Sequence, residues 1–135
     1  MFDAYLSPFA LASEVLEADS FRTGDQGYLD ADGDLHLCGR RRNRINMAGM
    51  KFFCEEVEAV LARHPAVRES RVVAQEHPQL GEIPVAEIVL ADPEHAPARA
   101  ELTAHCRAEL PAYKVPRAFR VVPALERTIT GKVQR

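Results

Sequence analysis

The chain has 135 residues, of which 47% are hydrophobic and 27% charged, a balance typical of a soluble globular protein that excludes disorder as the main state. The net charge is −3, so the overall charge does not predict nucleic acid as a partner. No apolar run approaches the length of ~20 residues that spans a bilayer, so a membrane is not predicted either. The first 15 residues lack the basic start and cleavage site of a signal peptide. Three cysteines without a CxxC pair and five scattered histidines indicate reduced thiols, a cytoplasmic location and no metal site.

The first predicted elements are a short helix and one hairpin. Leu11, Val15 and Leu16 recur within "ALASEVLEA", which favours a helix over residues 10–18. The strand-like runs "GYLD" and "DLHLCG" flank an Asp-Gly step, which marks a hairpin turn. Gly24 and Gly27 predict a tight loop just before this hairpin. These elements provide too little apolar surface for a core of their own.

The segment from residue 45 onward predicts seven elements that suffice for a small domain. In order they are strand, strand, helix, strand, strand, helix and strand. The helix in "CEEVEAVLARH" has an amphipathic pattern and is predicted to end at His64-Pro65, and a second helix in "ARAELTAHCRAEL" is predicted to end before Pro111. The predicted fold class is therefore α+β, a small mixed sheet with flanking helices, preceded by the hairpin.

Two polar stretches in the first third of the chain have both a structural and a functional interpretation. Asp25 in "FRTGDQG" is a common turn residue, but a carboxylate on a tight loop also accepts hydrogen bonds from a ribose diol. The run "GRRRNR" at residues 39–44 is typical of a solvated surface. A hinge between two bodies and a nucleic-acid patch are the alternatives, although no aromatic residues interleave with the basic ones.

The last stretch, "TITGKVQR", is either a frayed basic C-terminus or a ligand-binding loop. Gly131 would let the backbone approach a ligand closely, and Lys132 would deliver a positive charge to a phosphate or carboxylate. The stretch is not a Walker loop, because the GxxxxGK[ST] spacing is absent and Val133 stands at the hydroxyl position.

Four stretches in this order resemble the C-terminal portion of the adenylate-forming (AMP-binding) enzymes, which include acyl- and aryl-CoA synthetases, peptide-synthetase adenylation domains and luciferases. They are "FRTGD", "GYLDADGDLHLCGRRRNRINMAGMKFFCEEVE", "AYKVPRAFRVV" and "RTITGKVQR". The resemblance implies that residues 1–41 are the C-terminal remnant of a large ATP-binding domain and that residues 42–135 are a lid domain. In this family a carboxylate and ATP give an acyl-adenylate, a thiol then takes the acyl group, and the lid rotates between the steps.

The resemblance also implies roles for individual residues. Asp25 matches the aspartate that holds the ribose hydroxyls of ATP, and Arg40 matches an arginine that approaches the ribose or phosphates. Arg42 falls at the hinge, where the family usually has Asp or Lys. Gly49 falls on the loop that reaches the thiol tunnel, although a hairpin-turn glycine is equally compatible. Lys132 matches the catalytic lysine of adenylation.

The resemblance implies no catalytic role for three further residues in these stretches. Asn43 stands where the family commonly has another Asp, which puts in doubt the local salt bridges that hold each lid orientation. Glu56 and Glu58 lie at an acidic helix start, and we expect them to be structural there.

Cofactors and partners follow from the same resemblance. The complete enzyme would use ATP, Mg²⁺ and CoA, with none bound to this chain alone, and the partners would be the large N-terminal domain and either CoA or an acyl carrier protein. The phosphate loop and acyl pocket belong to the large domain and do not appear in this sequence, so we expect the chain to be an inactive piece of a longer ligase. A non-catalytic interaction module with the same fold is the alternative.

Overall fold

The structure, a computed structural model, describes residues 25–134, except the side chains of residues 39 and 41, together with four short strands before residue 25. These strands are β1 (Ala4–Leu6), β2 (Phe9–Leu11), β3 (Leu16–Glu17) and β4 (Ser20–Phe21). β1 pairs antiparallel with β2, and β3 pairs antiparallel with β4. The chain divides into two compact units, Met1–Arg41 and Arg42–Arg135.

The helix predicted over residues 10–18 is wrong wherever the structure describes that segment. Residues 10–11 belong to β2 and residues 16–17 belong to β3. The remaining residues of the segment lie outside the described ones. An isolated helix of nine residues is marginal in water, and a short apolar pattern does not distinguish it from paired strands.

The predicted hairpin is confirmed as β5 (Asp25–Leu29) and β6 (Leu35–Arg40). Its turn is fixed by Asp30, whose Oδ1 accepts hydrogen bonds from the backbone N–H groups of Asp32 and Asp34 at 3.0 Å each. Gly27 lies inside β5 at a register shift rather than in the predicted loop. A Cβ added to Gly27 would lie 2.5 Å from the carbonyl oxygen of His36, so the two strands approach closely there. Gly24, the other glycine of that predicted loop, lies outside the described residues.

The second unit has the predicted order of strands and helices, and the α+β fold class is confirmed. A 3₁₀ turn over Arg41–Asn43 precedes the first strand of this unit. The first helix ends at Leu61, three residues before the His64 end predicted from Pro65. The elements are β7 (Arg44–Met47), β8 (Met50–Phe53), α1 (Cys54–Leu61), β9 (Val67–His77), β10 (Gly81–Leu90), α2 (Arg99–Glu109) and β11 (Ala118–Val121).

β10 is the centre of a five-stranded mixed sheet. It pairs along its whole length with β9 in antiparallel register. On its other edge, Val85–Ile88 pair with β11 in parallel register, and Gly81 pairs with Met47 of β7. β7 continues into β8 through a tight hairpin. The loops of this unit therefore connect strands of a sheet whose register is fixed by one long strand pair.

The two helices and the sheet share one core. α1 contributes Val57 and Leu61, and α2 contributes Leu102 and Cys106, all at most 2% exposed. Because the apolar residues of α2 recur at i and i+4, they lie on one face of the helix, which covers the sheet. Within the part of the chain that the structure describes, no helix is long and apolar enough to cross a membrane.

Candidate functional site

The β5–β6 hairpin brings the two predicted nucleotide-binding residues together. Asp25 is the register partner of Arg40, and the guanidinium Nε lies 3.3 Å from the carboxylate Oδ1. Both side chains are partly open to solvent, with exposures of 35% for Asp25 and 42% for Arg40. A carboxylate accepts hydrogen bonds from hydroxyl groups and a guanidinium donates to phosphate, so this pair offers both kinds of contact at one place.

The predicted hinge residue, Arg42, is exposed and follows directly on the division between the two units. The next residue is held firmly. Asn43 is only 6% exposed, and its side-chain amide donates to Glu55 of α1 at 2.5 Å. The chain is thus anchored to the second unit immediately after Arg42, which is compatible with a pivot at that position. The hinge itself stays a prediction.

Gly49 lies at the tip of the β7–β8 hairpin. Ala48 and Gly49 both have positive φ, 51° and 86°, as a two-residue type I′ turn requires. A Cβ on Gly49 would meet nothing within 4 Å, so the backbone conformation and not crowding favours glycine. The turn accounts for Gly49 structurally, and its exposed tip leaves the thiol-tunnel alternative open.

The acidic start of α1 makes structural contacts, as expected for Glu56 and Glu58. Glu56 accepts a hydrogen bond from the Phe53 backbone N–H at 3.1 Å and forms a salt bridge with Lys114. Glu58 accepts from the Val72 backbone N–H of β9 at 2.7 Å. These contacts cap the helix and tie it to the sheet.

The C-terminal stretch is an ordered turn through Gln134, so the frayed-terminus interpretation is wrong for the residues described. The Gly131 N–H donates to the Thr128 carbonyl at 2.8 Å, and the Thr128 N–H donates to the Lys132 carbonyl at 2.7 Å. Gly131 has φ of 80°, the left-handed conformation that closes a three-residue hairpin loop. Lys132 directly follows this glycine, next to the isolated bridge between Arg127 and Val133.

The side chain of Lys132 is exposed. Among residues 25–134, no acceptor lies within hydrogen-bonding distance of its ammonium group. The turn tip beside it is also uncovered, since Ile129 is 98% exposed. Lys132 is thus an exposed cation on an ordered loop.

Sequence reasoning missed the residues that hold this turn. Arg127 forms a salt bridge with Glu69 of β9, and Arg71 of β9 donates to the Gln134 carbonyl. The Glu87 carboxylate binds Arg71 in a largely buried pair, with exposures of 14% for Arg71 and 16% for Glu87. No local pattern could reveal these contacts, because the partners of each tail contact lie about 60 residues apart in the chain.

The thiol of Cys106 is not activated. Burial, reinforced by the Glu109 charge, raises the pKa of Cys106 to about 11, so this thiol stays protonated near neutral pH. Cys54 is also buried, whereas Cys38 is exposed. Within the described residues, no group of three or more His, Cys, Asp or Glu side chains is placed to hold a metal ion.

Known proteins match this chain in sequence and in fold. Residues 56–132 match the family of the AMP-binding enzyme C-terminal domain. The 2-succinylbenzoate–CoA ligase of Bacillus velezensis is 43% identical over 85% of this chain and 23% of its own length. The sulfoacetate–CoA ligase of Cupriavidus necator is 40% identical over 84% of this chain and 22% of its own length.

A solved structure matches at a comparable level. The o-succinylbenzoate CoA synthetase of Bacillus subtilis, in complex with the acyl-adenylate intermediate OSB-AMP, superimposes with a TM-score of 0.80 and 38% identity. This match covers 90% of this chain and 24% of the synthetase. The chain thus spans about a quarter of the length of the relatives it matches.

Proposed function

The chain belongs to the family of AMP-binding enzyme C-terminal domains, and we propose that it acts as the lid of an ATP-dependent acid–thiol ligase. In the first step of this reaction a carboxylate attacks the α-phosphate of ATP, giving an acyl-adenylate and pyrophosphate. In the second step a thiol displaces AMP and forms a thioester. The lid serves the two steps in different orientations, turning about a hinge at Arg42.

The observation that carries this proposal is the presentation of Lys132. Its exposed ammonium group sits on an ordered turn and has no acceptor among the described residues. An ammonium group with no partner among the described residues of its domain is available for an anion supplied by another domain. Lys132 is the catalytic residue of the adenylation step in this proposal.

The chemistry of adenylation explains why a cation is needed. Negative charge builds on the α-phosphate and its bridging oxygen as the carboxylate attacks, so a cation delivered there stabilises the transition state more than the ground state. Contributions of this kind are worth about 3–4 kcal/mol, or about 10²–10³ in rate. A lysine suits the role because its flexible stem carries a compact point charge.

The hairpin is proposed to meet the nucleotide and the large domain. Asp25 would accept hydrogen bonds from the ribose hydroxyls, and Arg40 would approach the ribose or phosphates of ATP. The apolar side chains of Leu29, Leu35 and Leu37 are 65–69% exposed within this chain. An apolar cluster of this kind indicates a protein contact, and the large N-terminal domain is the proposed partner.

The acceptor thiol is proposed to be that of CoA, because the relatives in sequence are named as CoA ligases. Gly49 would lie against the pantetheine chain when the lid presents the β7–β8 turn. ATP, Mg²⁺ and CoA are the cofactors of the complete cytoplasmic enzyme in this proposal, and the chain alone is expected to be inactive. Transfer to a carrier protein is the alternative that a direct acceptor assay would test.

The decisive experiment separates the two half-reactions in the complete ligase that contains this chain. We expect Lys132→Ala to lower the rate of adenylation, followed by ATP–pyrophosphate exchange, by about 10²–10³. Thioester formation from preformed acyl-adenylate should be nearly unchanged, because the lysine is withdrawn in that step. An equal loss in both half-reactions would contradict the proposal.

A second lysine of the same domain provides the control. Lys114 binds Glu56 at the start of α1, a contact that stabilises the fold. Lys114→Gln should therefore lower the melting temperature while affecting the two half-reactions alike. Selective loss of adenylation in this variant would show that lysine removal in general, and not the position of Lys132, causes the effect.

A further inference from the structure

We infer that Arg127 is the positioning residue that sets where Lys132 points, an inference that rests on the proposed function. The Arg127 guanidinium binds two acceptors at once. Its Nη1 donates to the Gly131 carbonyl at 3.0 Å, and its Nη2 forms a salt bridge with Glu69 of β9. The residue thus links the turn that carries Lys132 to a strand of the central sheet.

The Gly131 carbonyl belongs to the peptide group that directly precedes Lys132. Holding this group fixes the starting point and direction of the lysine side chain. The other contacts of the tip are local, namely backbone hydrogen bonds and one hydrogen bond between the Thr128 and Thr130 hydroxyls at 2.8 Å, while Ile129 is 98% exposed. None of these contacts ties the tip to the sheet. On the far side of Lys132, Arg71 binds the Gln134 carbonyl, so the lysine is bracketed by two arginines.

The geometry of the contact requires arginine. A guanidinium presents several donors in a rigid fork and can satisfy two acceptors, whereas an ammonium group on the same backbone serves as a point charge for one of them. Arg127 and Glu69 remain 44% and 33% exposed, and ion pairs of such exposure contribute little to stability. The consequence of losing the link is therefore a displaced lysine and not an unfolded domain.

Displacement of a catalytic group by about 1 Å can cost up to about 10² in rate, and a lysine that still visits the correct position retains part of its effect. We expect Arg127→Ala to lower kcat for adenylation in the complete ligase by about tenfold, with KM for ATP within about twofold of the parent. Thioester formation from preformed acyl-adenylate should be unchanged. Arg127→Lys should give an intermediate kcat, because one of the two contacts remains possible.

A double-mutant cycle tests whether the link runs through Glu69. Glu69→Ala should lower kcat less than Arg127→Ala does, and the double variant should match Arg127→Ala alone, because both changes break one chain of contacts. Additive losses would overturn the inference. In the present chain alone, amide hydrogen exchange at Thr128 and Gly131, whose N–H groups close the turn, should become faster in Arg127→Ala, and unchanged exchange would also overturn the inference.

Arg120 supplies a matched control. It lies on β11 and donates to Gln75 of β9 at 2.8 Å, so it too is an arginine that links a C-terminal segment to β9. Arg120→Ala should leave adenylation and the exchange of Gly131 unchanged. If Arg127→Ala behaves like Arg120→Ala while Lys132→Ala still abolishes adenylation, the inference fails and the proposed function stands. Adenylation that survives Lys132→Ala would overturn both.

Discussion

The β5–β6 hairpin and the central sheet of the second unit are built from similar alternating strands, yet they treat their apolar residues in opposite ways. On the hairpin, Leu35 is 65% exposed and Leu37 is 69% exposed. In the second unit, Ile45 and Ile88 are fully buried beneath the helices. A two-stranded hairpin is marginal in water, whereas a sheet covered by helices forms its own core.

This difference indicates how the two groups of candidate site residues are supported. Lys132 belongs to a unit that has a core, so its turn can be held by contacts within the domain. Asp25 and Arg40 lie on a hairpin whose leucines are exposed, so among the described residues no such core fixes their positions. The three predictions below test this contrast.

The largest expected effect separates a core residue from an exposed one. Phe52 is 1% exposed and packs edge-to-face on Tyr113, with ring centroids 5.8 Å apart. Phe52→Ala should lower the free energy of unfolding by about 3–5 kcal/mol, because it leaves a cavity. In the isolated chain Leu37→Ala should change it by less than about 0.5 kcal/mol. Denaturant unfolding measures both, and comparable losses would remove the contrast between the two regions.

A smaller effect appears at alkaline pH and concerns the buried thiol of the second unit. The folded state holds the Cys106 proton up to a pKa of about 11, whereas the thiol ionises near 9.0 when unfolded. The contribution of this thiol to the free energy of unfolding is therefore fully present below pH 9. It is lost as the pH rises toward 11, since the unfolded state then binds fewer protons than the folded state. We expect a loss of about 2 kcal/mol over this range.

Urea unfolding at a series of pH values between 8 and 11 would measure this slope. Cys106→Ala should flatten it, although this variant is less stable at every pH. Cys38→Ala, which removes the exposed thiol of the hairpin, should leave the slope as it is. A slope that persists in Cys106→Ala would assign the alkaline instability to another group.

The smallest effect compares two turn glycines, one in each region. Gly33 and Gly131 have φ of 86° and 80°, and a Cβ on either would meet nothing within 4 Å. Alanine at each position costs about 1 kcal/mol locally, because the left-handed conformation is unfavourable for a residue with a Cβ. Gly131→Ala should lower the melting temperature of the second unit by about 4–8 °C. Gly33→Ala should leave the melting temperature of the second unit unchanged. An equal decrease in both variants would show that the hairpin unfolds together with the second unit.

Local patterns in the sequence were enough for most of the fold of the second unit. The apolar spacing of α1 and α2, the Asp-Gly step of the hairpin and the glycine between β7 and β8 each reflect interactions within a few residues. The same reasoning failed over residues 10–18, where the described parts are short strands. A pattern of three apolar residues is satisfied by either structure, and strand pairing decides between them.

The candidate site was likewise predictable from the sequence only in part. Motif order singled out Asp25, Arg40, Gly49 and Lys132 as residues, and the hairpin register then placed Asp25 beside Arg40. The ordered state of the C-terminal turn was not predictable, because a basic stretch at the end of a chain also fits a frayed terminus. The same holds for the structural contacts of Glu58 with β9.

The sequence by itself determined which segments are strands and helices in the second unit and which residues carry charge and chemistry, because these depend on neighbours a few positions away. The tertiary structure alone decided that β11 runs parallel to β10, that Cys106 is buried, and that Arg127 meets Glu69. Such contacts join residues far apart in the chain, and they form only when the hydrophobic core brings the elements together.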